Sequence, residues 1–341
     1  MNSSRRFLKH LRLWLQPRSG GHRSYKYLPP YLSASMPLES SMDVSHHLSR
    51  LAVTRYWHFE RFRNIFGLTP PGVPQWLQRF DWLVGWEHGW APTNQSPRHV
   101  YCHPMATDGL LRYLRTRKAP QLLSDSFLVI GGEDTLLSGQ NQETLSGLSD
   151  LFCDLYYEAY DIENPSVKIM PIGLQENYLR GAEEDFFKLV DNPLPKTELV
   201  LCAFGSFWPE LDRSIDDRAS AIESCTKMQF VEMGPFEREE YYSRLSLSKF
   251  MVCPRGNGVQ APKIIEALLN RCIPLMTDSV AARKLSELGI PMLIVDKWDD
   301  LTQELLDSRY ETLKSEVDTF FAILSDMDRW WEFSFNRTYQ P

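Results

Sequence analysis

Residues 248–278 read SKFMVCPRGNGVQAPKIIEALLNRCIPLMTD. Residues 250–253 are a short apolar run that stops at Pro254-Arg255-Gly256-Asn257-Gly258. Residues 262–270 then carry a helical pattern, and 273–276 form a second apolar run. A short apolar run, a glycine-rich break, a helix and another such run predict one βαβ unit of a parallel sheet with buried strands. Gly256 and Gly258 let backbone amides approach a ligand with no β-carbon in the way. Pro262 suits the first turn of the helix, where its missing N–H would have no partner anyway.

The alternation continues outward. Downstream of residue 195, strand-like runs at 199–204, 229–233 and 292–295 are separated by helical stretches at 218–225, 237–245 and 280–288. Upstream, 99–103, 126–130 and 167–172 read as strands, and 107–117 and 175–191 as helices. Residues 46–66 read as an aromatic-rich helix, 67–97 as a long structured loop, 191–195 as a linker and 299–334 as long helices. Strands and helices in alternation predict an α/β fold with parallel sheets. The expected organisation is an extension over 1–45, a doubly wound Rossmann-like domain over 46–195, a second over 196–300, and C-terminal helices over 301–341. Two such domains facing a cleft would bind ligands outside the carboxyl ends of their strands.

Composition narrows the class. With 341 residues, 43% hydrophobic and 24% charged, the chain is neither disordered, nor collagen-like, nor a disulfide-stapled miniprotein. No apolar run approaches the roughly 18 residues of a membrane span. Net charge is −7, yet residues 1–38 hold seven Lys/Arg and no acid, so the rest carries 30 basic and 44 acidic residues. That acidic body lacks the broad basic face of a nucleic-acid binder, and no nucleic-acid partner is expected. Over residues 5–16, Phe7, Leu8, Leu11, Trp14 and Leu15 share a helical face, with Arg5, Arg6, Lys9 and Arg12 mostly off it. This is the pattern of a helix resting on an anionic membrane, or of an extension docked on its own protein. It is a poor secretory signal, because Lys9, His10 and Arg12 interrupt the apolar stretch. Six scattered cysteines show no CxxC and no zinc-ligand spacing, and read as reduced thiols of a cytoplasmic protein.

The 253–270 segment also carries candidate chemistry. Arg255 can fork onto phosphate oxygens. Lys263, in the first helical turn, opposes the helix dipole and so suits an anionic partner. Glu266 lies one turn on, and its carboxylate can accept bonds from two vicinal hydroxyls such as those of a ribose. The other reading of Lys263 and Glu266 is a solvent-exposed ion pair at i, i+3, which contributes little.

This stretch resembles the nucleotide-sugar-binding segment of exostosin-like glycosyltransferases of the GT-B fold, at Cys253, Pro254, Gly256, Asn257, Gly258, Glu266, Ala267, Leu268, Cys272, Ile273 and Pro274. Lys263-Ile264-Ile265-Glu266-Ala267 is also similar to a fucosyltransferase motif. Upstream, Pro171-Ile172-Gly173-Leu174 with Glu176-Asn177 is similar to a stretch of bacterial and viral relatives, as is 127–134. Ala261-Pro262 stands where a more polar pair is usual, and Asn270-Arg271 where a small residue and Gly are usual. The resemblance implies a metal-independent hexosyl- or pentosyltransferase with no cofactor, taking a UDP- or GDP-linked sugar to a glycan or glycolipid acceptor. It implies that Arg255 and Lys263 hold the diphosphate, Glu266 the ribose, the backbone of Gly256, Asn257 and Gly258 the pocket wall, and Ser206 a further diphosphate contact.

An inverting transfer needs a general base, which the GT-B arrangement usually draws from the first domain. Asp134, closing the turn that opens at Gly131-Gly132, is the first candidate and His103 the second. Asp108 and Glu133 also stand at strand ends. For Asp134 a turn carboxylate is the structural alternative. No Asp-x-Asp triplet follows an apolar strand, so no metal is expected. A GDP-fucose-type enzyme and a non-catalytic nucleotide- or glycan-binding subunit are the rival readings.

Overall fold

The computed structural model describes residues 79–84, 97–116, 123–132, 134–174, 182–204 and 215–339, together with Leu179. The expected extension over 1–45, the helix over 46–66, Glu133 and Ser206 lie outside them.

Ten described strands form two parallel sheets. The first contains β1 (Trp82–Val84), β2 (His99–Cys102), β3 (Phe127–Ile130), β4 (Asp154–Tyr157) and β5 (Lys168–Ile169), in the order β1-β2-β3-β4-β5. Between them run helices α1 (Thr107–Thr116) and α2 (Gln142–Ser149). Leu110, Leu111 and Leu114 bury one face of α1. The Asn141 side chain starts α2 by accepting from the amides of Glu143 and Thr144. The second sheet contains β6 (Glu198–Cys202), β7 (Val231–Met233), β8 (Ser248–Val252), β9 (Ile273–Thr277) and β10 (Leu293–Val295), in the order β10-β9-β8-β6-β7. Its helices are α4 (Arg218–Cys225), α5 (Arg238–Leu247), α6 (Lys263–Leu269) and α7 (Val280–Leu288). Helix α3 (Glu183–Asp191) precedes this half in sequence.

The α/β class with parallel sheets follows the sequence pattern, with three differences. Among the described strands, only those of the second sheet reverse their order, between β6 and β8. The described strands of the first run in one sequential order, so double winding is a property of the second half. Strand β1 lies inside the segment expected to be a loop, where three residues between Asp81 and Gly85 are too short to register a period. The C-terminal helices also divide. Helix α8 (Gln303–Leu324) buries the stripe Leu306, Tyr310, Val317, Phe320 and Leu324, and Tyr310 meets Phe250 of β8 at 5.8 Å between ring centres. Helix α9 (Met327–Phe335) returns to the first sheet. There Phe335 lies 4.8 Å from Phe127, and the Tyr156 hydroxyl donates to the Phe335 carbonyl at 3.0 Å.

The turn before Cys272 is made without a glycine. Arg271 takes a left-handed backbone, φ 54°. Its guanidinium lies 3.3 Å from the Phe321 ring centre on α8, with Asp318 at 3.5 Å. Lys196 holds the turn by donating to the carbonyls of Ser246 and Asn270, both at 2.7 Å.

Candidate functional site

In open parallel sheets a ligand crevice forms where the strand order reverses, at the carboxyl ends of the strands. Here that point lies between β6 and β8, and the glycine loop leaves β8 there. A contact from the Gly256 amide to the Gly258 carbonyl, 3.3 Å, closes the loop on itself. Arg255 accepts at its carbonyl from the Asp217 amide, 3.2 Å, and its guanidinium lies 3.6 Å from Asp217 Oδ2. The Thr277 hydroxyl, at the end of β9, donates to the same Asp217 oxygen. Burial pushes the Asp217 carboxyl above the usual range, outweighing the pull of Thr277 and Arg255. Arg255 Nε and Asp217 Oδ1 are buried without hydrogen-bond partners.

A second arginine stands beside the loop. A β-carbon on Gly256 would lie 3.2 Å from the guanidinium carbon of Arg218. Arg218 grips Asp216, with Nε at 3.0 and 3.1 Å from the two carboxylate oxygens. Burial works to raise the Asp216 carboxyl, but the bonds from Arg218 prevail and hold it below the ordinary range. Each arginine of the loop region thus carries a carboxylate counterion.

Lys263 and Glu266 do not form the exposed surface pair that i, i+3 spacing allows. Glu266 is 3% exposed, and its Oε2 accepts from the Tyr241 hydroxyl at 2.8 Å and from Lys263 at 3.3 Å. The Lys263 ammonium sits 4.0 Å from the centre of the Tyr241 ring. Burial, followed by the Glu266 charge, drives the Tyr241 hydroxyl far above its ordinary pKa, so it stays a donor. The charges of Lys263 and Glu266 both reach the buried Cys253 thiol at the end of β8.

The first half meets this loop. Asp134 follows the turn at the end of β3, and a β-carbon on Gly258 would overlap its Oδ1 and lie 3.2 Å from its Cγ. Gly132 has φ 96°, and the Glu158 carboxylate accepts from its amide at 2.6 Å. Glu158 follows β4 and is 3% exposed. The side chain of Gln260 donates to the carbonyls of Glu158 and Met170, at 2.6 and 2.8 Å, and accepts from the Ile172 amide at 3.0 Å.

Of the residues singled out from sequence, Asp134 and Gly258 come into contact, Arg255, Gly256 and Asn257 share the loop, and Lys263 pairs with Glu266. His103 caps the short 3-10 turn Pro104–Ala106, its Nδ1 accepting from the Met105 amide at 3.3 Å. In the neutral ring that bond puts the proton on Nε2. Asp108 accepts from the Thr144 hydroxyl and ties α1 to α2. Sequence reading missed Asp217, Arg218, Tyr241, Glu158 and Gln260. Glu158 had a signal, a carboxylate within the Tyr-rich run DLYYEAY. Gln260 and Tyr241 had none, because their partners are distant in sequence.

Compared with known proteins, the chain matches no protein-family model, and no curated protein matches it in sequence.

Proposed function

We propose that this chain is a glycosyltransferase of GT-B arrangement that moves a sugar from a nucleotide-linked donor to a glycan or glycolipid acceptor. The observation that carries this reading is the meeting of Asp134, from the turn after β3, with Gly258 in the loop after β8. A base from one half then stands beside a donor loop from the other. In this reading Arg255 and Lys263 face the diphosphate and offset the charge that grows on the leaving group, without a metal. Glu266, preset by Tyr241, receives ribose hydroxyls, and Asp134 takes the proton of the acceptor hydroxyl. The backbone of Gly256, Asn257 and Gly258 forms the wall. Six unpaired cysteines, of which only Cys153 is exposed, suit a reducing compartment such as the cytoplasm. Among the described residues no helix is long and apolar enough to cross a membrane.

A non-catalytic nucleotide- or glycan-binding role is the second reading. The counterions on Arg255, Arg218 and Lys263 favour it, because they reduce the positive charge left to stabilise a departing diphosphate.

A thermal-shift panel of UDP- and GDP-sugars tests binding, since a ligand of the native state raises the melting temperature. Donor hydrolysis or transfer with excess EDTA separates enzyme from binder. Asp134→Asn is expected to keep donor affinity and to cut turnover by about a hundredfold or more. No shift with any nucleotide sugar would refute the reading. Activity lost in EDTA and restored by Mg²⁺ or Mn²⁺ would refute its metal-free form.

A further inference from the structure

The amide of Gln260 is fully committed. Both its atoms bond backbone groups of the other half, and the side chain is 5% exposed. One of its partners, Glu158, is itself a node. The Glu158 carbonyl receives Gln260, while the Glu158 carboxylate holds the Gly132 amide. Two residues after Gly132 stands Asp134, which lies back against Gly258 in the loop that leads to Gln260. The connections form a closed ring from donor loop to strand end to turn and back to donor loop. Within that ring Gly132 has little room, because a β-carbon there would lie 2.9 Å from the Tyr101 hydroxyl.

We propose that Gln260 and Glu158 are positioning residues that register the Asp134 turn against the glycine loop, so that a displacement of either is transmitted to the other. The consequence for turnover rests on the glycosyltransferase reading; the coupling itself does not. A loop that shifts when a donor binds would carry Gln260 with it, and Glu158 would pass the shift to the turn. Neither residue needs to touch substrate.

Two backbone amides report on the two ends of this ring. The Ile172 amide is bonded by Gln260, and the Gly132 amide by Glu158. Hydrogen exchange on the full chain reads both. In Gln260→Ala, Ile172 exchanges faster because its acceptor is gone. Coupling requires that Gly132, whose own acceptor is intact, also exchange faster, by roughly tenfold or more for the loss of one hydrogen bond's worth of restraint. Faster exchange at Ile172 with Gly132 unchanged overturns the proposal. Should the alanine variant not fold, Gln260→Glu keeps the size and the acceptor for Ile172 but cannot donate to two carbonyls, and the same rise at Gly132 is expected. From the other end, Glu158→Gln retains an acceptor for Gly132 and should restore the protection that Glu158→Ala loses. Equal exchange in those two variants also overturns it.

With a donor from the nucleotide-sugar panel, Gln260→Ala should turn over about a hundredfold more slowly, as expected for a misplacement of order 1 Å, with donor affinity near the parent's. Affinity and turnover falling in parallel would mean a merely structural role. If the parent itself neither binds nor consumes any nucleotide sugar, the functional reading fails, while the exchange measurements still decide the coupling.

Discussion

Asp134 Oδ1 occupies the place that a β-carbon on Gly258 would need. The glycine therefore serves a steric purpose beyond loop flexibility: it makes room for a carboxylate that arrives from the other sheet.

That contact can be tested without any substrate. Gly258→Ala should destabilise the fold by about 1–3 kcal/mol through overpacking. Asp134→Ala removes the obstacle, so the double variant should recover much of the loss, with a coupling energy of about 1 kcal/mol or more. Denaturant unfolding of the four proteins measures the cycle. Strict additivity would mean that the two residues do not touch in solution.

The Tyr241 hydroxyl fixes the Glu266 carboxylate. Tyr241→Phe should cost about 1–3 kcal/mol, because a buried charged acceptor loses a donor. Nucleotide-sugar affinity should fall with it, if Glu266 receives the ribose. A variant with unchanged stability would show the hydroxyl to be dispensable.

Arg271 offers a separation of backbone and side-chain effects. Arg271→Ala loses the contacts with Phe321 and Asp318 and keeps the left-handed backbone. Arg271→Gly loses the same contacts and relaxes the backbone. The glycine variant should therefore be the more stable of the two, by roughly 1 kcal/mol. If alanine is equal or better, the residue is not left-handed in solution.

His99 gives the first sheet a pH dependence. Its ring packs 5.0 Å from both Phe127 and Trp331, and its Nδ1 donates to the Arg79 carbonyl at 3.0 Å. Burial lowers its pKa, aided by Arg98 and Arg337 and opposed by the Arg79 carbonyl and Asp81. The unfolded chain then takes up the proton more readily than the folded one. Stability should fall as pH drops below about 6.5, the ordinary histidine value, and go on falling toward the lowered folded value. His99→Gln should flatten that slope in melts taken across this range. An identical slope in both proteins would assign the effect to other groups.

Short-range chemistry was legible in the sequence, and long-range pairing was not. The unit at 248–278 reads correctly because its strands are continuously apolar and its loop is marked by Pro254, Gly256 and Gly258. The segment 135–166 yielded no elements, since Tyr156 and Tyr157 sit in a run too polar to mark β4. The residues around the glycine loop divide the same way. Arg255 announces itself by charge within a glycine-rich turn, and Lys263 by charge in the first turn of the helix that follows. The counterion of Arg255, Asp217, stands ahead of α4, where an acid reads simply as a helix cap. The burial of Glu266 depends on Tyr241, 25 residues away on another helix, and no local spacing encodes it.

The return of α9 to the first sheet has a consequence for synthesis. Tyr156 and Phe335 are 179 residues apart, yet they close the same aromatic layer over β3 and β4. At translation rates of about 5–20 residues per second, β4 waits roughly 10–35 seconds for its cover. The amino-terminal sheet therefore cannot mature in the order in which it leaves the ribosome. A nascent chain halted before residue 327 would present Phe127 and Tyr156 to the surroundings, a surface for chaperones to shield until the last helix emerges.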